Sequence, residues 1–207
     1  MRGGADRLVE ELRGALSDER VLAAVRDVPR DVFVPEELRE EAWENIPLPI
    51  GCGQTISQPL IVARMCELLA LEGGERVLDV GTGSGYHAAL LARLVAEVYS
   101  IERHAELSAR AARALAAAGA GNVTLAVGDG SQGLPDHAPY DAINVAAAAR
   151  RRIPPALIDQ LAPGGRIVAP VEERGEQRLA LLREHGGELR IARLDRVRFV
   201  PLHSRRF

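Results

Sequence analysis

Apolar residues recur at helical spacing through the first 26 positions. Leu8, Val9, Leu12 and Leu16 share one face, and Val21, Leu22 and Val25 continue it after Ser17-Asp18, a pair suited to capping a helix N-terminus. The pattern predicts paired helices stopped by Pro29. Residues 36–45 read as another short helix, after which Pro47, Pro49, Gly51 and Gly53 force a loop. A helix from Pro59 to Leu71 follows, with proline in its first turn, Ile61, Val62, Met65, Leu68 and Leu69 on one face, and Ser57 or Gln58 as its cap.

From Arg76 onward the period changes. Short β-rich runs (Arg76 to Val80, Val98 to Ile101, Val123 to Val127, Ala142 to Val145, Arg166 to Val171) alternate with helical stretches over Tyr86 to Val95, Ala105 to Ala118 and Pro155 to Leu161. Each helical stretch is long enough to return the chain to a parallel neighbour, so the expected fold is α/β, a doubly wound and mostly parallel sheet with an N-terminal helical extension. Arg178 to Arg183 and Leu189 to Leu202 flank Gly186-Gly187 and predict antiparallel C-terminal strands.

A chain of 207 residues, 47% hydrophobic and 27% charged, suits one compact domain with a real core. All 26 basic residues are Arg, which removes Schiff-base lysines and the Gly-Lys-Ser/Thr phosphate loop from consideration. A net charge of -3 offers no basic footprint for nucleic acid. Cys52 and Cys66 are too few for a disulfide framework or a structural zinc site, and a reducing compartment fits best. Met1 to Leu16 holds no signal-peptide core and no run is long enough to span a membrane, so a soluble cytoplasmic protein is expected.

The strongest local signal is Val77-Leu78-Asp79-Val80-Gly81-Thr82-Gly83-Ser84-Gly85, a buried strand entering a glycine-rich turn and then a helix. Nicotinamide binding asks for a small residue five positions after the first glycine, and that position is Tyr86. Asp79 beside the turn suits a cationic ligand better than a diphosphate, since like charges repel. Glu102 closes the next strand, where an acidic group can accept both ribose hydroxyls, and Gly128-Asp129-Gly130 follows the third. Singly, these read as a helix cap, a solvated strand end and a turn residue. Together they favour a nucleoside ligand with an amino group and no phosphate.

That description matches S-adenosyl-L-methionine. The Asp79 to Gly85 loop, Glu102, Gly128-Asp129-Gly130 and Leu161-Ala162-Pro163-Gly164-Gly165 resemble the ordered motifs of class I methyltransferases, a Rossmann-like fold. More narrowly, Val28-Pro29-Arg30, Phe33-Val34-Pro35, Pro47-Leu48-Pro49-Ile50-Gly51, Gln54-Thr55-Ile56-Ser57-Gln58-Pro59 and Val197-Arg198-Phe199-Val200-Pro201-Leu202 resemble the protein-L-isoaspartate O-methyltransferase family. The resemblance implies methyl transfer to the α-carboxylate of isoaspartyl residues in damaged proteins and peptides, with S-adenosyl-L-homocysteine as product and repair through a succinimide. It implies that Ser57 is the active-site serine and that Thr55 and Ile56 line the groove to substrate. Asp79, Gly81, Thr82, Gly83 and Gly85 then surround the methionine part, Glu102 holds the ribose, and Asp129 with Gly130 contacts the adenine. One domain over 1–207 is expected: helices and a covering loop in 1–58, the cofactor core in 59–171 and C-terminal strands in 172–207. A monomer without nucleic-acid, membrane or metal partners is expected.

A carboxylate nucleophile is already ionised at neutral pH, so the absence of lysine and of an obvious histidine base is no defect. Ser57 and Thr55 can hold that carboxylate by hydrogen bonds, or simply cap the helix ahead of Pro59. Other readings stay open: a relative dedicated to one biosynthetic peptide or small acid, or a cofactor-binding module without catalysis. His87 either touches the ligand or is an exposed first-turn side chain, and Phe33 and Trp43 either wall the cofactor or pack in the core. Arg150-Arg151-Arg152, where the family shows small residues leading to a proline, either attract acidic substrate or form a solvated loop.

Overall fold

A computed structural model describes residues 2–203; Met1 and residues 204–207, the two ends of the expected domain, lie outside the described residues. Helices α1 (Arg2–Leu12) and α2 (Glu19–Asp27) bury the apolar stripe read from the sequence. The Asp18 carboxylate caps α2 by accepting the N–H groups of Arg20 and Val21 at 2.8 and 3.3 Å. After α2, the fully buried Arg30 donates to the carbonyls of Ala42 and Ile46 at 2.8 and 3.2 Å and lies 4.8 Å over the Tyr86 ring, fastening this layer to the glycine-loop helix.

Two local expectations fail here. The segment expected to be a helix over 36–45 is only a 3-10 turn at Glu36–Glu41, because Leu38 alone gives it an apolar anchor. The expected loop is a hairpin, β1 (Leu48–Gly51) and β2 (Gln54–Ile56), whose alternation buries Leu48, Ile50 and Ile56. Its turn runs through Gly51, Cys52 and Gly53, all at positive φ. Helix α3 (Pro59–Leu69) ends two residues early, where Ala70 turns left-handed. Gln58 stands at its N-cap without a side-chain hydrogen bond to the helix, and the capping acceptor is instead Asn45 Oδ1, which takes the N–H of Leu60 at 3.0 Å.

The α/β core is β3 (Arg76–Val80), α4 (Tyr86–Leu94), β4 (Glu97–Glu102), α5 (Ala105–Ala117), β5 (Val123–Val127), β6 (Tyr140–Val145), β7 (Ala149–Arg150), α6 (Pro155–Ile158) and β8 (Leu161–Glu173). Strands β9 (Glu176–His185) and β10 (Glu188–Arg196) complete the sheet. The order is β10-β9-β8-β6-β3-β4-β5, with β7 beside β8; β8, β9 and β10 pair antiparallel and the other pairs are parallel. The chain leaves β3 toward β5 and then crosses to β6 on the other side of β3. This reversal opens a crevice at the carboxyl ends of β3 and β6, where doubly wound sheets take ligands.

Two differences at the C-terminal side shape that crevice. Helix α6 is one turn, and the stretch expected to extend it to Leu161 instead starts the long β8. The last strand stops at Arg196, and residues 197–202 leave the sheet edge to run across the crevice. Ala148 donates to Val200 O and accepts from Leu202 N, both at 2.8 Å.

Strand alternation assigns the core. Val77, Val98, Ala142 and Val168 face the layer of α2, α3 and α4, whereas Leu78, Val80, Ile101, Ile143, Val145 and Ile167 face the opposite side.

Candidate active site

The same alternation puts Asp79, Ser100 and Asn144 on the face toward α4, and the strand register sets them side by side: Asp79 is the direct partner of Ser100 on β4 and of Asn144 on β6. All three are fully buried. Ser100 Oγ donates to Asp79 Oδ2 at 2.7 Å, and Thr82 Oγ1, 2.6 Å from Ser100 Oγ, supplies the next proton in the chain. Asn144 Nδ2 donates to Asp79 Oδ1 at 2.7 Å and lies 3.2 Å from His87 Nδ1. Burial pushes the Asp79 carboxyl up to about 6, against the pull of the Ser100 and Asn144 hydrogen bonds. Burial likewise drives His87 down to about 3, so the ring is neutral.

Asp79 is therefore not the rim carboxylate expected from its position, and Thr82 does not face the ligand side either; both belong to a buried support beneath the glycine loop. His87, read as exposed or ligand-touching, is part of the same support, because the first turn of α4 lies directly on the sheet. Ser100 and Asn144 were missed, although a polar residue inside each of two apolar strands is a visible signal.

Above this support, Val80, Gly81, Gly83, Ile101, Glu102 and Gly130 line a groove at the crevice. Its opposite wall is Gln54 and Thr55 of the hairpin, Ala146 and Ala147 after β6, and the crossing segment Val200–His203. Glu102 is the one carboxylate among the described residues on the groove. Its Oε2 accepts Gly83 N–H at 2.9 Å and its Oε1 accepts His104 N–H at 3.0 Å. A carboxylate has about four acceptor positions, so capacity remains for ligand hydroxyls. Gly81 and Gly83 present bare backbone, and Val80, Ile101 and the two alanines supply an apolar floor.

Other expected site residues sit elsewhere. Asp129 Oδ1 accepts the N–H and the hydroxyl of Ser131 at 3.0 and 2.7 Å and so caps the 3-10 turn Gly130–Gln132; of Gly128-Asp129-Gly130, Gly130 is the residue that lines the groove. Gly85 packs α4 against α5: a Cβ there meets Ala111 Cβ at 3.2 Å. Ile56 is a core residue at the end of β2. Phe33 packs edge-on against Tyr86, and Trp43 covers Gly4. Arg150, Arg151 and Arg152 are exposed and line neither this groove nor its neighbour.

The neighbouring cleft contains Ser57, with Gln58, Ile61, Arg196, Arg198 and Phe199. Thr55, Ala146 and Val200 are walls of both clefts, so the two lie side by side. The Ser57 hydroxyl has no hydrogen-bond partner among the described residues.

The chain that builds this site, with its apolar floor, acidic acceptor, exposed glycine backbone and adjacent cleft with free hydroxyls, has close relatives among known proteins. The family model for protein-L-isoaspartate(D-aspartate) O-methyltransferase matches residues 4–207. The protein-L-isoaspartate O-methyltransferase of Halorhodospira halophila is 54% identical over 200 residues, covering 95% of this chain and 90% of that one. The enzyme of that name from Methanoculleus marisnigri is 54% identical over 90% of this chain and 84% of its own. A putative enzyme of this kind from Plasmodium falciparum, solved in complex with S-adenosyl-L-homocysteine, superposes with a TM-score of 0.83 at 27% identity, covering 95% of this chain and 97% of that one. A further protein-L-isoaspartate O-methyltransferase structure gives a TM-score of 0.87 at 28% identity, over 99% of this chain and 66% of that longer one. With the family model spanning nearly its whole length, the chain belongs to the protein-L-isoaspartate(D-aspartate) O-methyltransferase family.

Proposed function

We propose that methyl transfer takes place where the two clefts meet, between the glycine-loop groove and the hydroxyl of Ser57. As a member of its family the protein is an S-adenosyl-L-methionine-dependent carboxyl methyltransferase that acts on L-isoaspartyl residues of damaged proteins and peptides and initiates their repair. The observation that supports the placement is the wall of Thr55, Ala146 and Val200 common to both clefts, which sets the donor groove directly beside the Ser57 cleft.

The groove fits the donor. Glu102 accepts the ribose hydroxyls with its remaining lone pairs, Gly81 and Gly83 let the methionine part approach the backbone, and Gly130 borders the base. Asp79 and Thr82 act from below by holding the loop and adding one buried negative charge. Bound S-adenosyl-L-methionine supplies an electrophilic methyl on a sulfonium, and its transfer to a carboxylate turns two charged groups into a neutral ester and a neutral thioether. The protein therefore needs no strong base. Ser57 and Thr55 orient the carboxylate oxygen and the cleft walls strip its water, a proximity effect worth up to roughly 7–11 kcal/mol in the best cases.

On this reading residues 1–58 cover the site, 59–171 hold the donor and 172–207 complete the substrate side within one domain. The protein works as a cytoplasmic monomer on polypeptide rather than nucleic acid. No described helix is long and apolar enough to cross a membrane. Transfer of labelled methyl from S-adenosyl-L-methionine to a synthetic isoaspartyl peptide, beside its aspartyl twin, tests the assignment. Label is expected in the isoaspartyl peptide alone; equal labelling of both, or of neither, overturns it.

A further inference from the structure

The Ser57 cleft carries two guanidinium groups, Arg196 and Arg198, and no carboxylate among the described residues lines it. In a chain of net charge -3 this is a local concentration of positive charge at the point where substrate enters. The two arginines are not equivalent. Arg196 is held by Glu176 at 3.3 Å. Arg198 is exposed and has no hydrogen-bond or ion-pair partner among the described residues. It sits in the crossing segment beside Phe199 and Val200, whose backbone Gln177 and Ala148 fix through Gln177 Oε1 to Phe199 N–H (2.6 Å) and Ala148 N–H to Val200 O (2.8 Å). A fixed backbone with a free cation on it is a built recognition element, not a loose tail.

The chemistry of the reaction decides what that cation meets. Methyl transfer to a carboxylate consumes the negative charge, so a guanidinium paired with the reacting oxygen stabilises the ground state more than the transition state and slows the step. Neutral hydroxyls hold the reacting carboxylate without that cost, and Ser57 and Thr55 provide them. The charge on Arg198 is left for a second carboxylate, one that does not react.

We propose that Arg198 reads an acidic side chain flanking the isoaspartyl residue, so that the protein selects damage sites in acidic stretches of polypeptide. This deepens the functional reading above and rests on it. The arginine run at 150–152, which the sequence put forward for acidic substrate, lines neither cleft and takes no part.

The test is steady-state methylation of isoaspartyl hexapeptides differing only in having Glu, Gln or Arg next to the isoaspartate, on either side. For the wild type, kcat/KM is expected to be about 3- to 5-fold higher with Glu than with Gln, the scale of a partly exposed ion pair, and the preference should shrink as salt rises. Taking the Glu/Gln ratio within each variant cancels any loss of folded protein. Arg198→Gln should bring the ratio to about one, and Arg198→Glu should invert the series in favour of the Arg-flanked peptide, while Arg150→Ala keeps the wild-type ratio. Methylation of all three peptides at equal efficiency by the wild type, or a Glu preference that survives both Arg198 substitutions, overturns the proposal and leaves the functional reading standing. Failure to methylate any isoaspartyl peptide overturns the functional reading itself.

Discussion

Glu102 accepts the backbone N–H of Gly83 at 2.9 Å, and through this bond the end of β4 holds the glycine loop that follows β3. Among the described residues the same carboxylate is the only one on the donor groove, so it serves the loop and the ligand together. Glu102→Ala removes both and is expected to weaken S-adenosyl-L-homocysteine binding by about 1–3 kcal/mol. Glu102→Gln keeps a carbonyl for Gly83 but one acceptor fewer for the ribose, and should fall between wild type and alanine. Titration calorimetry measures both; unchanged affinity in the alanine variant refutes the placement.

Ser57 presents a hydroxyl without a partner among the described residues to the second cleft, beside the donor groove. Its removal in Ser57→Ala should lower kcat for isoaspartyl peptide about 10-fold or more while leaving donor affinity within about 2-fold, since one oriented hydrogen bond to the acceptor is worth about 1.5–3 kcal/mol when charged. Equal turnover by the variant is the result that removes Ser57 from the mechanism.

Gly83 and Gly85 both stand at positive φ, at 54 and 93°, yet for different reasons. Gly83 lines the donor groove, whereas a Cβ on Gly85 meets Ala111 and Leu115 of α5 at 3.2 and 3.3 Å. Gly85→Ala therefore combines backbone strain with overpacking, about 2 kcal/mol in all, and should lower the melting temperature by about 4–8 °C. Gly83→Ala should cost less stability and more donor affinity. Scanning calorimetry with and without S-adenosyl-L-homocysteine separates the two; identical behaviour of the variants contradicts the division of roles.

The parallel core was legible because its strands are short apolar runs separated by amphipathic helices, and Gly81, Glu102 and Gly130 could be assigned to the ligand edge from their places at strand ends. The β1–β2 hairpin was not legible, since Pro47, Pro49 and Gly51 look like loop residues and the alternation of Leu48, Ile50 and Ile56 spans only a few positions. Asp79 misled for a physical reason. In a sheet buried on both faces, a residue near a strand's end may be read as pointing past the edge, and only the register with Ser100 and Asn144 shows that it points into the protein. Asp129 and Ile56 likewise have roles inside the protein that their segments do not reveal: Asp129 caps the turn Gly130–Gln132 and Ile56 packs in the core. The isolation of Arg198 depends on where residues 197–202 cross the sheet edge, which no local pattern encodes.

The buried Asp79 predicts an unusual pH dependence of stability. Its carboxyl titrates at about 6 in the folded chain, against an ordinary value of 3.8. Between these values the folded state binds more protons than the unfolded one, so the contribution of this group to stability falls as pH rises from about 4 to about 6 and stays low above that. The loss amounts to roughly 2–3 kcal/mol at neutral pH. Carboxylates such as Glu67 and Glu75 lie below their usual range, because backbone and arginine hydrogen bonds outweigh their desolvation, and act in the opposite sense. The wild-type curve is therefore a sum, and the difference from a variant isolates one group. Asp79→Asn keeps the shape and removes the titration, while giving up one of the two hydrogen bonds that the carboxylate accepts from Ser100 and Asn144, a loss that does not vary with pH. The variant should gain stability relative to wild type progressively between pH 4 and 6, with no further gain at higher pH, as measured by urea unfolding at each pH. A stability difference that stays constant from pH 4 to 7.5 means that Asp79 does not titrate in this window, and that the ionised carboxylate is not held under strain beneath the glycine loop.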